Sequence, residues 1–434
     1  VVIEGDHASM TAVVEVRAAV RRTFGSLDSR NYRLLFTGQL ISQTGGWMHT
    51  MAEAWLVLKL THDGAAVGTT FAFRFLPILV FGMWGGAIVD RRDRRTLLVG
   101  TQLASSVVTL VLWLLVLTDV AQVWMVWLAA TALGFVDVVD RPANHAFTEQ
   151  MVGHEKLANA VALNSAVANS ARITGPAIAG LVIGAVGTSW VFFVNSLSFL
   201  AVVVALLLMR PSELRPWTPS ASRPRAREGV AYTWSIREIR STVVLVFVVG
   251  TLVYNFPTFL TIMAEDTFHG DAGLAGLLMA ALGIGTVVGA LAAAHRAEQT
   301  SRLVISSAAG LGALLVATGA MPTKALVLVA LVPTGAFAVF FGSVANAHMQ
   351  LWSAPEFRGR VMAVYSTLTM GTTVVGGPFV GWVSQHWNAR VGFGLAGVGT
   401  LGTAVALATH ARRDRAVADQ QVLADSTQAA VETA

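Results

Sequence analysis

Three charged residues stand inside long apolar runs of this sequence: Glu53, Arg74 and Arg172. A charge at the centre of a bilayer costs roughly 2.5–3.5 kcal/mol even on the most lenient scale, so each needs a partner or a task. Glu53 lies roughly 10 Å from the end of its run and Arg74 roughly 9 Å from the start of the next, at about 1.5 Å per helical residue. Matched depth on consecutive antiparallel segments predicts a salt bridge between them. A carboxylate that exchanges its cation for a proton can also couple proton entry to a conformational change. The pair therefore reads either as a static brace or as a proton-coupling site. Arg172 follows Ser165 and Asn169 and precedes Pro176 at spacings that share one helical face, and that face must look into protein or a cavity. Gln39, Gln43, Trp47 and His49 in the first run, and Asn255 in the seventh, are further candidates to line a substrate cavity. For any one of them an ordinary hydrogen bond between helices is the simpler reading.

The elements that must position these groups are runs of about 18 or more apolar residues, long enough to cross a hydrocarbon core. The chain has 434 residues, 54% hydrophobic and 13% charged, where soluble proteins carry about 25% charged residues. In lipid only helices and closed barrels satisfy the backbone, and these runs are too long and continuous for barrel strands. An all-α polytopic membrane protein follows. Six spans fall between Leu34 and Met209 and six between Val243 and Thr409. The organisation expected is a cytoplasmic arm (1–31), a first six-helix half (32–210), a linker (211–242), a second half (243–410) and a tail (411–434). In the arm, Val13, Val16, Val20 and Phe24 share a helical face that can lie in the membrane interface. The linker is rich in Pro, Ser and Arg, with a short surface helix within Val230–Ile239. The final stretch of about 20 residues is expected to be disordered.

Of the 30 Lys and Arg residues, most lie in the termini and the even-numbered loops; Lys59, Lys324 and Arg390 lie on the other side. The positive-inside rule then places both termini in the cytoplasm. The isoelectric point of about 10.1 reflects this topology, and basic residues divided among many loops do not form a nucleic-acid face. The sequence has no cysteine, hence no disulfide framework. It contains no HExxH, GxSxG or Walker loop and no clustered metal ligands, so neither enzymatic chemistry, nor a cofactor or metal, nor an ATP engine is expected. No cleavable signal peptide is expected either.

The halves match weakly at one offset. Ala143-Asn144 corresponds to Ala345-Asn346, Gly175-Pro176 to Gly377-Pro378, and Arg94 to Arg296. Repeated halves are a transporter signature, with the substrate path between them near mid-membrane.

The stretch GAIVDRRDRR, which contains Asp90, Arg91, Arg94 and Arg95, resembles the loop 2–3 signature of the major facilitator superfamily, with Asp93 where a glycine is usual. DRPANHAF, LANAVALNSAVANSARITGP and APEFRGRVMAVY are similar to its twelve-span drug and metabolite exporters, the transmembrane secretion effectors near the enterobactin exporter. The resemblance implies the major facilitator fold. It also implies a latch: Asp90 beside the start of span 11, with Arg358 and Arg360, and Arg94 with Asp137 or Asp140 at the inner end of span 4, where Arg91 and Arg141 belong to the same cluster. For Arg91, Arg92 and Arg95, simple topology is the competing reading. ARITGPAIAG resembles the span 5 signature of antiporters through Gly175, Pro176 and Gly180. The expected function is a proton-coupled secondary exporter of small amphiphilic molecules in the bacterial cytoplasmic membrane. The expected partners are a small-molecule substrate, protons and lipids, with no nucleic acid, and the chain is expected to be a monomer. A siderophore or lipid exporter of the same fold and a non-transporting scaffold or receptor are the alternatives.

Overall fold

The computed structural model describes residues 25–215, 226–295, 300–354 and 356–432. No β-strand occurs among them. Helices α1 (Arg30–Thr61), α2 (Gly64–Val89), α3 (Arg94–Leu117), α4 (Val123–Val152), α5 (His154–Val186) and α6 (Thr188–Leu207) come first. After the linker come α7 (Arg237–Leu252), α8 (Ala272–Ala294), α9 (Ser301–Ala320), α10 (Lys324–Leu351), α11 (Arg358–His386) and α12 (Ala389–Glu432). These twelve match the twelve spans in order. Ten of the segments are long and apolar enough to cross a membrane by length and composition. The other two, α1 and α11, are 32 and 29 residues long. They miss that mark because they carry polar residues along their length, the Gln39, Gln43, His49 and Glu53 series among them.

Three expectations need correction or relocation. Span 7 is not one continuous helix. The backbone leaves α7 at Val253–Asn255, resumes at Phe256–Ile262 and ends in a π turn at Met263–Thr267. Pro257 has no N–H to give the Val253 carbonyl, so one helical bond is missing at the break. The tail is helical to Glu432 rather than disordered. Beyond Gly402 it holds neither Gly nor Pro and is rich in Ala, all of which favours helix. The linker helix spans Ala226–Ser235, ending where Ile236 turns extended. The ring of Tyr232 stacks on Phe357 at 4.1 Å, and its hydroxyl accepts from the Ala354 N–H at 2.9 Å. The linker helix is thereby fixed to the start of α11. The amphipathic face of Val13, Val16, Val20 and Phe24, and Arg296, lie outside the described residues.

The chain forms two compact units. The first comprises the described residues of Val1–His62, Phe73–Arg223 and Gly270–Ala280; the second comprises those of Asp63–Ala72, Pro224–His269 and Ala281–Ala434. Within the first, α1 packs on α5 and α6, and α3 on α4 and α6. The first turns of α8 lie on α5: a Cβ on Gly180 would come within 2.8 Å of the Ala272 carbonyl, and one on Gly276 would overlap that of Pro176. Within the second, α12 packs on α9. The first turns of α2 lie on α11, where Gly68 faces Gly377 and Gly64 faces Gly381, backbone to backbone. Side-chain-free contact of this kind is how helices approach closely in lipid, where hydrophobic association gives no drive.

Candidate functional site

Glu53 sits one helical turn after His49 on α1. Their closest approach, Nε2 to Oε2, is 3.8 Å, and the two are 3% and 4% exposed. The His49 ring meets the edge of Phe192 on α6 at 5.0 Å. Both ring nitrogens and Glu53 Oε1 are buried without a hydrogen-bond partner. An acid and an imidazole are thus buried side by side, each the nearest charged or chargeable partner of the other. The i,i+4 spacing is visible in the sequence, where polarity alone makes His49 a cavity-lining group.

The expected Glu53–Arg74 bridge is not formed in this structure. Arg74 instead donates from Nη2 to Asp137 Oδ2 at 3.1 Å. Gly134 explains the exchange. A Cβ there would overlap the Arg74 carbonyl and touch Pro77, so a glycine is what lets α2 and α4 cross here. Asp137 lies one turn further along the same face of α4 and meets Arg74 directly. Depth along a helix says nothing of which way a side chain points around it. Gly134→Val is expected to force the helices apart, at a cost of about 1–3 kcal/mol for overpacking. A lower melting temperature of the purified protein checks it.

Asp137 Oδ2 also accepts from Arg141 Nη2 at 3.2 Å. Asp140, three residues on, turns to α3 and accepts from Thr101 Oγ1 at 2.6 Å and Gln102 Nε2 at 2.9 Å. The expected pairing of Arg94 with either acid is therefore not found. Arg94 donates to the Ala146 carbonyl of α4 at 2.8 Å, and the carboxylates acting on it are Asp90 and Glu149. Both aspartates are already occupied deeper in the helix. Arg95, which topology alone could explain, donates from Nε to the Leu206 carbonyl at 2.8 Å and so caps the end of α6. Asp93 caps α3 by accepting from the Thr96 N–H at 2.7 Å. That is what the acid supplies where the resembled signature has glycine. Asp90 is half-buried and Arg91 exposed. Arg358 donates to the Gln350 carbonyl at 3.1 Å, and Arg360 lies 5.0 Å over the Phe357 ring.

Gln39, Gln43 and Trp47 recur every four residues on α1, and all are half-buried. Arg172 on α5 lies 5.1 Å over the Trp47 ring, a cation–π contact. Gly175 permits this crossing, since a Cβ on it would stand 2.6 Å from Trp47 Cβ. Asn169 is half-buried, whereas Ser165 is exposed and bonds its own helix at Val161. Asn255 belongs to the second unit, at the break in span 7. It donates to the Thr251 carbonyl at 2.9 Å, and its Oδ1 is buried without a partner. The sequence signal for that break was Pro257, two residues on. No cluster of three or more His, Asp or Glu residues that could hold a metal occurs among the described residues.

The sequence pattern of the transmembrane secretion effectors matches residues 21–433. The chain belongs to that family, within the major facilitator superfamily. Among similar proteins, the staphyloferrin A transporter of Staphylococcus aureus is 25% identical over 60% of this chain and 66% of its own. The multidrug efflux pump Tap of Mycolicibacterium fortuitum is 26% identical over 79% of this chain and 86% of its own. Macrolide efflux protein A of Streptococcus pyogenes is 23% identical over 78% and 86%. In fold, the chain is similar to the nucleoside transporter NupG at a TM-score of 0.71 and 12% identity, covering 87% of this chain and 98% of that one. This secretion effector is therefore a multi-pass membrane transporter of the major facilitator type.

Proposed function

We propose that the protein is a proton-coupled exporter of small amphiphilic molecules in the bacterial cytoplasmic membrane, with both termini in the cytoplasm. The observation that carries the proton coupling is the His49–Glu53 pair. It sets a carboxyl group 3.8 Å from an imidazole, both buried, and each is chemically able to carry a proton. Their protonation answers to proton supply. The names of the efflux relatives support export. The staphyloferrin A relative favours a second reading, a siderophore exporter of the same fold. Substrate contact is assigned to the Gln39, Gln43, Trp47 and Arg172 surface, which pairs amide groups with a cation held on an aromatic ring. The test is efflux of fluorescent dyes from cells and vesicles, with and without a proton gradient. Efflux indifferent to the gradient would remove the coupling.

The latch belongs to this reading as well. Asp90, among four arginines, does nothing for topology, and we assign it to closing the cytoplasmic side against the start of α11. Asp90→Asn is expected to keep expression and thermal stability while transport falls several-fold, about 1 kcal/mol of lost charge-assisted bonding. Full activity in that variant would count against the latch. A monomer is expected, and light scattering of the detergent-purified protein reads it.

A further inference from the structure

The geometry points to the Arg74–Asp137–Arg141 bridge as the seat of an anionic group on the transported molecule. This rests on the transport reading above and names the chemistry of its substrate. Both guanidinium groups reach the same carboxylate oxygen, each through one Nη2, at 3.1 and 3.2 Å. Arg–carboxylate pairs frequently form two parallel bonds. Here Arg74 Nε and Nη1 and Asp137 Oδ1 make no bond among the described residues, and none of these atoms is sealed from its surroundings. The side chains of Arg74, Asp137 and Arg141 are 24%, 16% and 44% exposed. A guanidinium with unused donors does not face lipid stably, so its open side faces a polar space.

The charges around the bridge set the sign of its ligand. Two guanidinium groups converge on one carboxylate. Arg74 is the only ionisable residue on α2. On α4, Asp140 is turned away to Thr101 and Gln102 of α3, and Arg94 of α3 is held at the Ala146 carbonyl. Glu53 is enclosed with His49. The accessible excess is positive, and the unused N–H groups match the fork that guanidinium presents to carboxylate or phosphate. Aromatic pairs flank the same helices, Phe73 with Trp127 at 5.5 Å and Phe81 with Phe135 at 5.4 Å. The ligand is then an amphiphile with an apolar body and an oxyanion. That oxyanion displaces Asp137 from Arg74 on binding, and Asp137 returns when the ligand leaves, so the arginine is never bare.

The test compares two dyes with one ring system, anionic carboxyfluorescein and cationic rhodamine 6G, by fluorescence anisotropy on the full-length protein in an uncharged detergent. Carboxyfluorescein is expected to bind the wild type and to bind Arg74→Gln roughly tenfold more weakly, with Arg74→Lys in between. Asp137→Asn is the decisive variant. Without the competing carboxylate it is expected to bind the anionic dye about threefold more tightly or better, which a purely structural bridge would not do. Size-exclusion profiles confirm that each variant is folded. Unchanged affinity in Arg74→Gln, or no gain in Asp137→Asn, overturns the assignment. A wild type that binds only rhodamine 6G also overturns it, and gradient-driven export of that dye would leave the transport reading standing. Phosphatidylglycerol added to the detergent identifies the source of the oxyanion. Competition by this lipid would reassign the bridge to a headgroup and overturn the substrate assignment.

Discussion

Export driven by a proton gradient is expected to fall roughly tenfold or more in Glu53→Gln. Glutamine keeps the size and shape of the acid and removes only its proton exchange. Glu53 is 3% exposed and glutamine fills the same volume, so the packing and the fold should hold. Substrate binding should survive, since Gln39, Gln43, Trp47 and Arg172 are untouched. The measurement is dye export in everted vesicles, with binding and melting temperature recorded on the same preparations. Normal gradient-driven export would leave His49 and Glu53 as structure alone. His49→Gln gives the companion result. If the pair works together, its pH profile for export should differ from that of the wild type, not merely its expression.

A second large effect is expected at Gly68. Any side chain there runs into the Gly377 carbonyl, and backbone atoms cannot rotate away as a flexible side chain can. The neighbouring contact of Gly381 with the Gly64 carbonyl resists compensation by sliding. Gly68→Val should therefore separate α2 from α11, with about 1–3 kcal/mol lost from this packing and transport reduced by roughly tenfold if the crossing forms in the working cycle. Gly100 provides the control. No atom lies within 4 Å of where its Cβ would stand, so Gly100→Val should be close to neutral. Equal loss from both substitutions would mean that the glycine, rather than the crossing, is what matters.

The sequence carried the spans well, because apolar length is a direct physical demand of a bilayer and ten of the twelve helices answer it outright. It carried the interruption of span 7 only as Pro257, which by itself says kink rather than unwinding. The partner of Arg74 was out of reach because the choice between Glu53 and Asp137 depends on the rotation of α2, set by Gly134 through a contact 60 residues away. By contrast, His49 and Glu53 are legible in the sequence as an i,i+4 pair, although matched depth points to a partner on another helix. Asp93 and Arg95 show a different gap. Within a basic cluster, charge explains topology so readily that capping of α3 and α6 leaves no separate trace in composition. Polarity alone makes the tail read as disordered, whereas its freedom from Gly and Pro beyond Gly402 agrees with the helix observed.

The two compact units do not coincide with the two halves of the gene. Asp63–Ala72 from the first half is built into the second unit, and Gly270–Ala280 from the second half into the first. Recombination between related genes, cut in the linker, would therefore transplant two seams as well as two halves. One runs along Gly64 and Gly68 against Gly377 and Gly381, the other along Pro176 and Gly180 against Ala272 and Gly276. A chimera inherits one side of each seam from each parent. Such hybrids should survive only when both parents keep small residues on their own side, which makes these glycines a compatibility code for evolution by shuffling.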